Sequence, residues 1–277
     1  MKRTLFASAF SVLLFFTMPA YSQNEWRMWN TAGLNLSFTK KLDLQVSHLR
    51  SYNISNNFTN NFNQTTASLD YDLKKRMSVK VGVMNTGVPA STINKQRYFA
   101  RFTYRLPVAD VITWSNSLQA EIHSANETRF RNRIIYITRV SNKKRFDFLR
   151  LNVSAAYWLF YNTGGNAINY YDKDGAVVAR NTPNGLHRGR LFLTANSKLT
   201  KDLSLSLYYM QQQEFNLLSG NYHQMNVVNP LTGKTARAFD NYNVVGLSLS
   251  YDLDLYKKKK SGKSKSNHKN NNHGEEN

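Results

Sequence analysis

Apolar and polar residues alternate along most of this chain with a period of two. Leu203, Leu205, Leu207 and Tyr209 alternate with Ser204, Ser206 and Tyr208. Leu247, Leu249, Tyr251, Leu253 and Leu255 alternate with Ser248, Ser250 and Asp252. Successive side chains of a strand point to opposite faces, so each such segment has one apolar face and one polar face. Read this way, the strand segments are 27–38, 42–52, 64–73, 77–85, 96–106, 111–123, 131–141, 146–160, 186–197, 203–215 and 242–255. Each is near the ~9–11 residues that a tilted strand needs to cross a bilayer.

The connections fall into two kinds. Lys40-Lys41, Lys74-Lys75-Arg76, 107–110, Lys143-Lys144-Arg145 and 199–202 are tight. The segments 53–63, 86–95, 161–185 and 216–241 are longer and rich in Asn, Gly and Ser, and 124–130 is a shorter fifth. Within 161–185, Tyr170-Tyr171-Asp172-Lys173-Asp174-Gly175-Ala176-Val177-Val178 predicts a small hairpin around Asp-Gly. Short turns on one side and long loops on the other predict an all-β, antiparallel transmembrane β-barrel, with the turns periplasmic and the loops extracellular. Eleven segments are visible, but single-chain bacterial barrels have an even number, so the expectation is about twelve strands, with ten as the alternative.

Aromatic placement agrees with a lipid-facing wall. On the apolar parities Tyr71 and Tyr104 lie near tight turns, and Tyr98, Tyr157 and Tyr209 near long loops. Amphipathic rings settle at the two headgroup layers. A soluble β-sandwich also alternates, but it has little reason for long strands with such unequal connections.

The ends divide the chain further. Lys2 and Arg3, an apolar run over 5–18 and the small-residue site Ala20-Tyr21-Ser22 predict a signal peptide over 1–22. Residues 23–256 then form the barrel as one domain. Residues 257–277 hold seven Lys, five Asn, two Glu and no large apolar side chain, which predicts a disordered tail. The apolar run at the N-terminus is shorter than a membrane-spanning helix requires, and mean hydropathy is −0.53. Cysteine is absent, which excludes a disulfide framework and a thiolate metal site. The formal charge is +20. Without the tail's +5 and the Lys2-Arg3 pair it is about +13, spread through the strands and turns. No nucleic-acid partner is expected, because the charge forms no single basic aromatic surface.

Candidate chemistry lies on the polar parity. Arg97, Arg101, Arg105, Arg131, Arg133, Arg150, Arg188 and Arg190, with Arg139 and Lys80, share it with Asp70, Asp72, Glu121 and Asp252. One reading is a structural ladder of arginine–carboxylate pairs filling a narrow lumen, since buried charges need partners. The other is an anion-attracting lumen or mouth, because arginine outnumbers the carboxylates and its planar fork suits phosphate and carboxylate. The corresponding function is a scaffold or a small, anion-favouring pore, with outer-membrane lipids and an anionic ligand or lipopolysaccharide as partners. A barrel enzyme acting on lipid is the alternative: His48 with Ser47 or Ser51, or His123 with Ser117 or Ser124, supplies the residue types, although no spacing marks a nucleophile with its base. No cofactor and no metal is expected.

Trp29-Asn30, the repeated strand, Lys-Lys turn and strand, the stretch Leu69-Asp70-Tyr71-Asp72-Leu73-Lys74-Lys75, Arg131-Asn132-Arg133 and the closing Gly246-Leu247-Ser248-Leu249-Ser250-Tyr251 resemble a family of unknown function. Its members are exported outer-membrane barrels common in Bacteroidota. The resemblance covers most of residues 26–256 and implies fold and location. It supplies no catalytic residues, and the Lys-rich tail lies outside its pattern.

Overall fold

The structure is a computed structural model, and it describes residues 25–89, 91, 94–108, 110–217 and 224–256. The predicted signal peptide and basic tail lie outside the described residues. Eleven strands build the wall: β1 (Glu25–Ser37), β2 (Leu42–Asn53), β3 (Thr59–Lys74), β4 (Met77–Gly87), β5 (Asn94–Pro107), β6 (Ile112–His123), β7 (Asn132–Asn142), β8 (Leu151–Thr163), β11 (Gly185–Lys198), β12 (Leu203–Leu217) and β13 (Tyr242–Asp254). Two short strands, β9 (Ile168–Tyr171) and β10 (Val177–Asn181), form a separate hairpin in the loop after β8. At its tip Gly175 takes φ +81°, and Asp172 Oδ1 accepts the N–H groups of Asp174 and Ala176, as Asp-Gly turns require.

Every sequence-adjacent wall pair is antiparallel, and the sheet closes by pairing β1 with β13 in parallel, Glu25↔Tyr242 through Ser37↔Asp254. The described wall therefore has eleven strands, not the even number expected. Strands that alternate in direction leave the first and last of an odd set running the same way, so the seam has to be parallel. The eleven segments read from the sequence are these eleven strands, with shifted ends. β3 begins at Thr59, so the loop before it shrinks to 54–58. The segment starting at 146 becomes a wall strand only at Leu151, because Leu149 and Arg150 adopt left-handed backbone angles.

The apolar parity faces outward and is exposed along its length: Leu118 is 55% and Ile122 63% accessible, with Leu69, Val81, Phe102, Leu193, Leu207, Leu247 and Leu249 alongside. A wall that bares these side chains is matched to lipid.

The lumenal parity is not uniformly polar. Midway along the barrel it carries Trp29, Leu49 and Phe62 on β1–β3, Ile135 and Ile137 on β7, Trp158 and Phe160 on β8, Phe192 on β11, Tyr208 and Met210 on β12 and Val244 on β13. Met210 and Val244 are wholly inaccessible and Phe160 is 2% exposed. Glycine makes room for this layer: a Cβ on Gly246 would lie 1.9 Å from Tyr208 Cζ, its cross-strand neighbour. Tyr208 thus lies flat over the bare backbone of β13, a ring covering a strand glycine.

Candidate functional site

Alternation places one charged layer on either side of the aromatic plug, and the two differ in access. At the loop end Glu121 and Glu214 have side chains 2% and 1% exposed; at the turn end Arg105 and Asp72 are 41% and 51% exposed. The loop-end pairs around Glu121 and Glu214 are the most deeply buried, while Glu25 and Asp240 at the loop-side rim are 37% and 38% exposed.

The loop-end layer is built by residues at the tops of neighbouring strands. Arg133 Nη1 lies 3.6 Å from Glu121 Oε2 and donates through Nε to Asn162 Oδ1 at 3.0 Å. Its guanidinium stacks over Phe130 at 4.3 Å and Phe160 at 5.3 Å. Glu121 also accepts from Gln119 Nε2 at 2.5 Å and shares a hydrogen bond with His123 Nε2 at 3.2 Å. Arg188 pairs with Glu214 directly across β11–β12. Arg27 bridges Glu25 at 2.6 Å and Asp240 at 3.0 Å. A charge removed from water requires such partners, because an unpaired one costs several kcal/mol.

Three arginines have neutral partners instead. Arg97 donates to Gln64 Oε1 at 2.7 Å and Thr86 Oγ1 at 3.3 Å. Arg101 donates to Gln119 Oε1 at 2.6 Å beside the Trp158 ring. Arg190 donates to Gln212 Oε1 at 2.8 Å and the Tyr242 hydroxyl at 3.2 Å, and lies over Phe160 and Trp29. Arg97, Arg133, Arg188 and Arg190 are close enough to repel one another.

The turn-end layer is a ladder of ion pairs that grows more exposed from Lys80–Asp70 at 3.2 Å through Lys198–Asp252 at 2.9 Å to Arg105–Asp72 at 3.6 Å, with Asn35 also donating to Asp252 at 2.7 Å. Arg139 donates to Ser154 Oγ at 3.0 Å and is exposed.

Two of the arginines expected on the lumenal parity lie elsewhere. Arg131 is exposed in the loop before β7, its backbone engaged with Thr163 and His123. Arg150 sits in the left-handed turn before β8, exposed, its carbonyl accepting from Arg145. Both fall outside regular strand, where alternation no longer assigns a face. Glu214 and Lys198 are lumenal partners that the sequence reading passed over; both stand on parities already read as polar, two residues from Gln212 and Asn196. Arg27, Glu25 and Asp240 come together through β1 and the last loop, a contact without a local signal.

The histidine pairs do not assemble. His48 points outward and bonds Thr65 Oγ1 at 3.0 Å, whereas Ser47 and Ser51 face the lumen. His123 bonds Glu121 and stacks edge-on against Phe130, while Ser124 Oγ accepts the Gln96 N–H and Ser117 bonds Thr103. Among the described residues no cluster of His, Asp and Glu could hold a metal ion.

Above the lumen the loops are tied together. Thr182 donates to the Gln224 carbonyl, Arg237 Nη1 to the Asn181 carbonyl at 3.1 Å, and the Ala236 N–H to the Tyr170 hydroxyl at 3.3 Å. Asn216 holds Met225 by both its backbone groups. Thr182, Pro183 and His187 are buried beneath this layer.

Wall, inner layers and loops together define a β-barrel with an apolar outer face and an arginine-rich interior. The chain belongs to the family described as a protein of unknown function (DUF2490), whose model matches residues 26–223. Among solved structures it is similar to the NanC porin in a rhombohedral crystal form, at 9% identity and a TM-score of 0.46, covering 82% of this chain and 98% of that one. It is also similar to a doubly substituted OccD1 (OprD), at 11% identity and a TM-score of 0.29, covering 64% and 46%. No curated protein matches it.

Proposed function

We propose that this chain is a bacterial outer-membrane barrel that works with its lumen shut, as a closed scaffold whose vestibule opens to the periplasm, and not as a standing pore. The observation that carries this reading is the apolar layer on the lumenal parity: Met210 and Val244 are inaccessible, Phe160 and Ile135 are 2% exposed, and Trp158 against Phe192 at 5.1 Å joins the two clusters. Above it the Glu121–Arg133 and Arg188–Glu214 pairs are buried, and the tied loops lie over them. The expected signal peptide and the lipid-matched wall support the outer membrane, and the unequal connections support turns inside and loops outside.

Planar bilayers test it. The wild-type protein should give no steady conductance, and replacing Phe160 and Met210 together by alanine should produce discrete channels. A steady wild-type conductance would overturn the closed reading. Absence of the protein from washed outer-membrane fractions would overturn the location.

A further inference from the structure

The loop-end half of the lumen holds more positive charge than its carboxylates neutralise. Arg133 has Glu121 and Arg188 has Glu214, but Arg97, Arg101 and Arg190 each meet a glutamine carbonyl oxygen. Glutamate at Gln64 would be nearly isosteric and would supply the missing charge, whereas Gln119 and Gln212 also use their amide N–H groups, donating to Glu121 Oε1 and to the Asp240 carbonyl. The chain instead repeats the neutral amide on three separate strands. An amide oxygen takes a bond from the fork without neutralising it, and the carboxylates near these arginines, Glu121 by Arg97 and Arg101, Asp70 by Arg101 and Asp240 by Arg190, are each shared with another cation, so the cluster keeps a positive surplus that a bound anion would balance.

A second observation marks where the anion sits. Trp29 Nε1 and Ser51 Oγ, direct cross-strand neighbours on the lumenal face of β1 and β2, are buried without a hydrogen-bond partner. Buried polar groups are ordinarily satisfied, and each exception calls for a reason. Arg190 lies 5.9 Å over the Trp29 ring and reaches the Tyr242 hydroxyl from β11, while Arg97 leans across β4 to Gln64 on β3. Cations and unmet donors therefore converge on one side of the lumen, at the loop-side edge of the plug.

We infer that the loop-end lumen is an oxyanion-binding site, in which Arg97 and Arg190 supply charge and Trp29 Nε1 and Ser51 Oγ supply neutral donors to a phosphate- or carboxylate-bearing ligand. This rests on the closed lumen proposed above, which keeps bulk water from screening the arginines.

The test refolds the full chain from urea into detergent micelles, so that a shut lumen cannot bar entry. Inorganic phosphate, acetate or chloride is present at matched ionic strength. Phosphate or acetate should raise the urea midpoint and change tryptophan emission saturably, and chloride should do neither. A response to phosphate alone assigns a phosphate ligand, and a response to both assigns carboxylates as well. Arg97→Gln and Arg190→Gln should each weaken affinity about tenfold, as loss of a charge-assisted bond does, whereas Arg139→Gln at the open end should leave it unchanged. Should the arginine variants fail to fold, Ser51→Ala, which removes no charge, should still weaken affinity about threefold, the share of one neutral hydrogen bond. No response beyond chloride, or an affinity untouched by these substitutions, overturns the site. Conductance of the same preparation separates the two readings: a silent barrel that ignores phosphate overturns only the site, and a conducting barrel that binds it overturns only the closed lumen.

Discussion

Phe160→Ala is the sharpest test of a packed lumen. The ring is 2% exposed and lies among Ile135, Ile137 and Trp158, all on the lumenal parity of β7 and β8. It also underlies two cations, with Arg133 5.3 Å and Arg190 5.1 Å from its centroid. Truncating a packed phenylalanine costs about 3–5 kcal/mol through lost transfer free energy and the cavity left behind. Two desolvated cation–π contacts add about 1 kcal/mol each. A wide, watery lumen would give a very different result, because the ring would then be nearly as wet folded as unfolded and its removal would cost well under 1 kcal/mol. Urea unfolding of the detergent-refolded barrel separates the cases. Trp158, 6.2 Å from the ring, reports the transition by fluorescence. With a urea slope of about 3 kcal/mol per molar, a 4 kcal/mol loss moves the midpoint down by more than 1 M. Phe160→Leu should recover most of it. A midpoint for Phe160→Ala within about 0.3 M of wild type, equivalent to about 1 kcal/mol at that slope, would mean the plug is not packed and would sink the closed lumen with it.

The remaining predictions address the wall, its sidedness and one loop. β1 starts at the loop end and β13 finishes at the turn end, so a protease site placed just before Glu25 should be cut on intact cells and one placed after Asp254 only after permeabilisation; cleavage of both on the same side would require an even strand count. Gly246→Ala forces a methyl into the Tyr208 ring 1.9 Å away and should destabilise the barrel by about 1–3 kcal/mol, whereas adding Tyr208→Ala should relieve the strain in a double-mutant cycle. In the loop between β6 and β7, burial of Glu127 disfavours its ionised form, but the Arg129 N–H and the Lys95 ammonium outweigh it and hold the carboxyl below its ordinary value. A depressed acid stabilises the loop above the ordinary carboxylate value of about 4.3 and loses that contribution as pH falls through the depressed value. A carboxyl NMR titration of Glu127 with its midpoint at or above 4.3 would contradict the contact, which is worth under about 1 kcal/mol because Lys95 is 38% exposed.

Alternation was enough to place the wall, because lipid on one side and lumen on the other give each strand two solvents. It located eleven strands, sorted tight turns from loops and found the β9–β10 hairpin. It also put Arg97, Arg101, Arg133, Arg188 and Arg190 on the inner face together with Glu121. It failed where period two stops carrying information. Arg131 and Arg150 lie in irregular backbone, so their parity meant nothing. The plug was missed for a related reason: runs such as Ile134-Ile135-Tyr136-Ile137 and Tyr157-Trp158-Leu159-Phe160 are apolar on both faces, the mark of a strand buried on both sides. Those runs were the available signal that the lumen is dry at mid-height. The tie between the two largest loops rests on contacts such as Tyr170 to Ala236, which no local pattern encodes.

Strand number escaped the sequence for a deeper reason. Each hairpin is specified locally by its turn and facing parities, and nothing in any one hairpin says whether the last strand meets the first parallel or antiparallel. That decision belongs to closure. Glu25 and Tyr242 must meet across almost the whole chain, and the thirteen matched positions from Glu25↔Tyr242 to Ser37↔Asp254 fix the register. The match follows from side chains pointing inward. Asn35 reaches Asp252 across the seam at the turn end, Trp29 packs against Tyr242 and Val244 at mid-height, and Arg27 lies 3.7 Å over the Tyr242 ring at the loop end. Shifting the seam by one residue would turn the inner face of β1 outward, carrying Arg27 and Trp29 into lipid and Met28 into the lumen. The plug and the flanking polar contacts therefore do two jobs with the same atoms: they obstruct the lumen, and they select the register in which an odd number of strands closes.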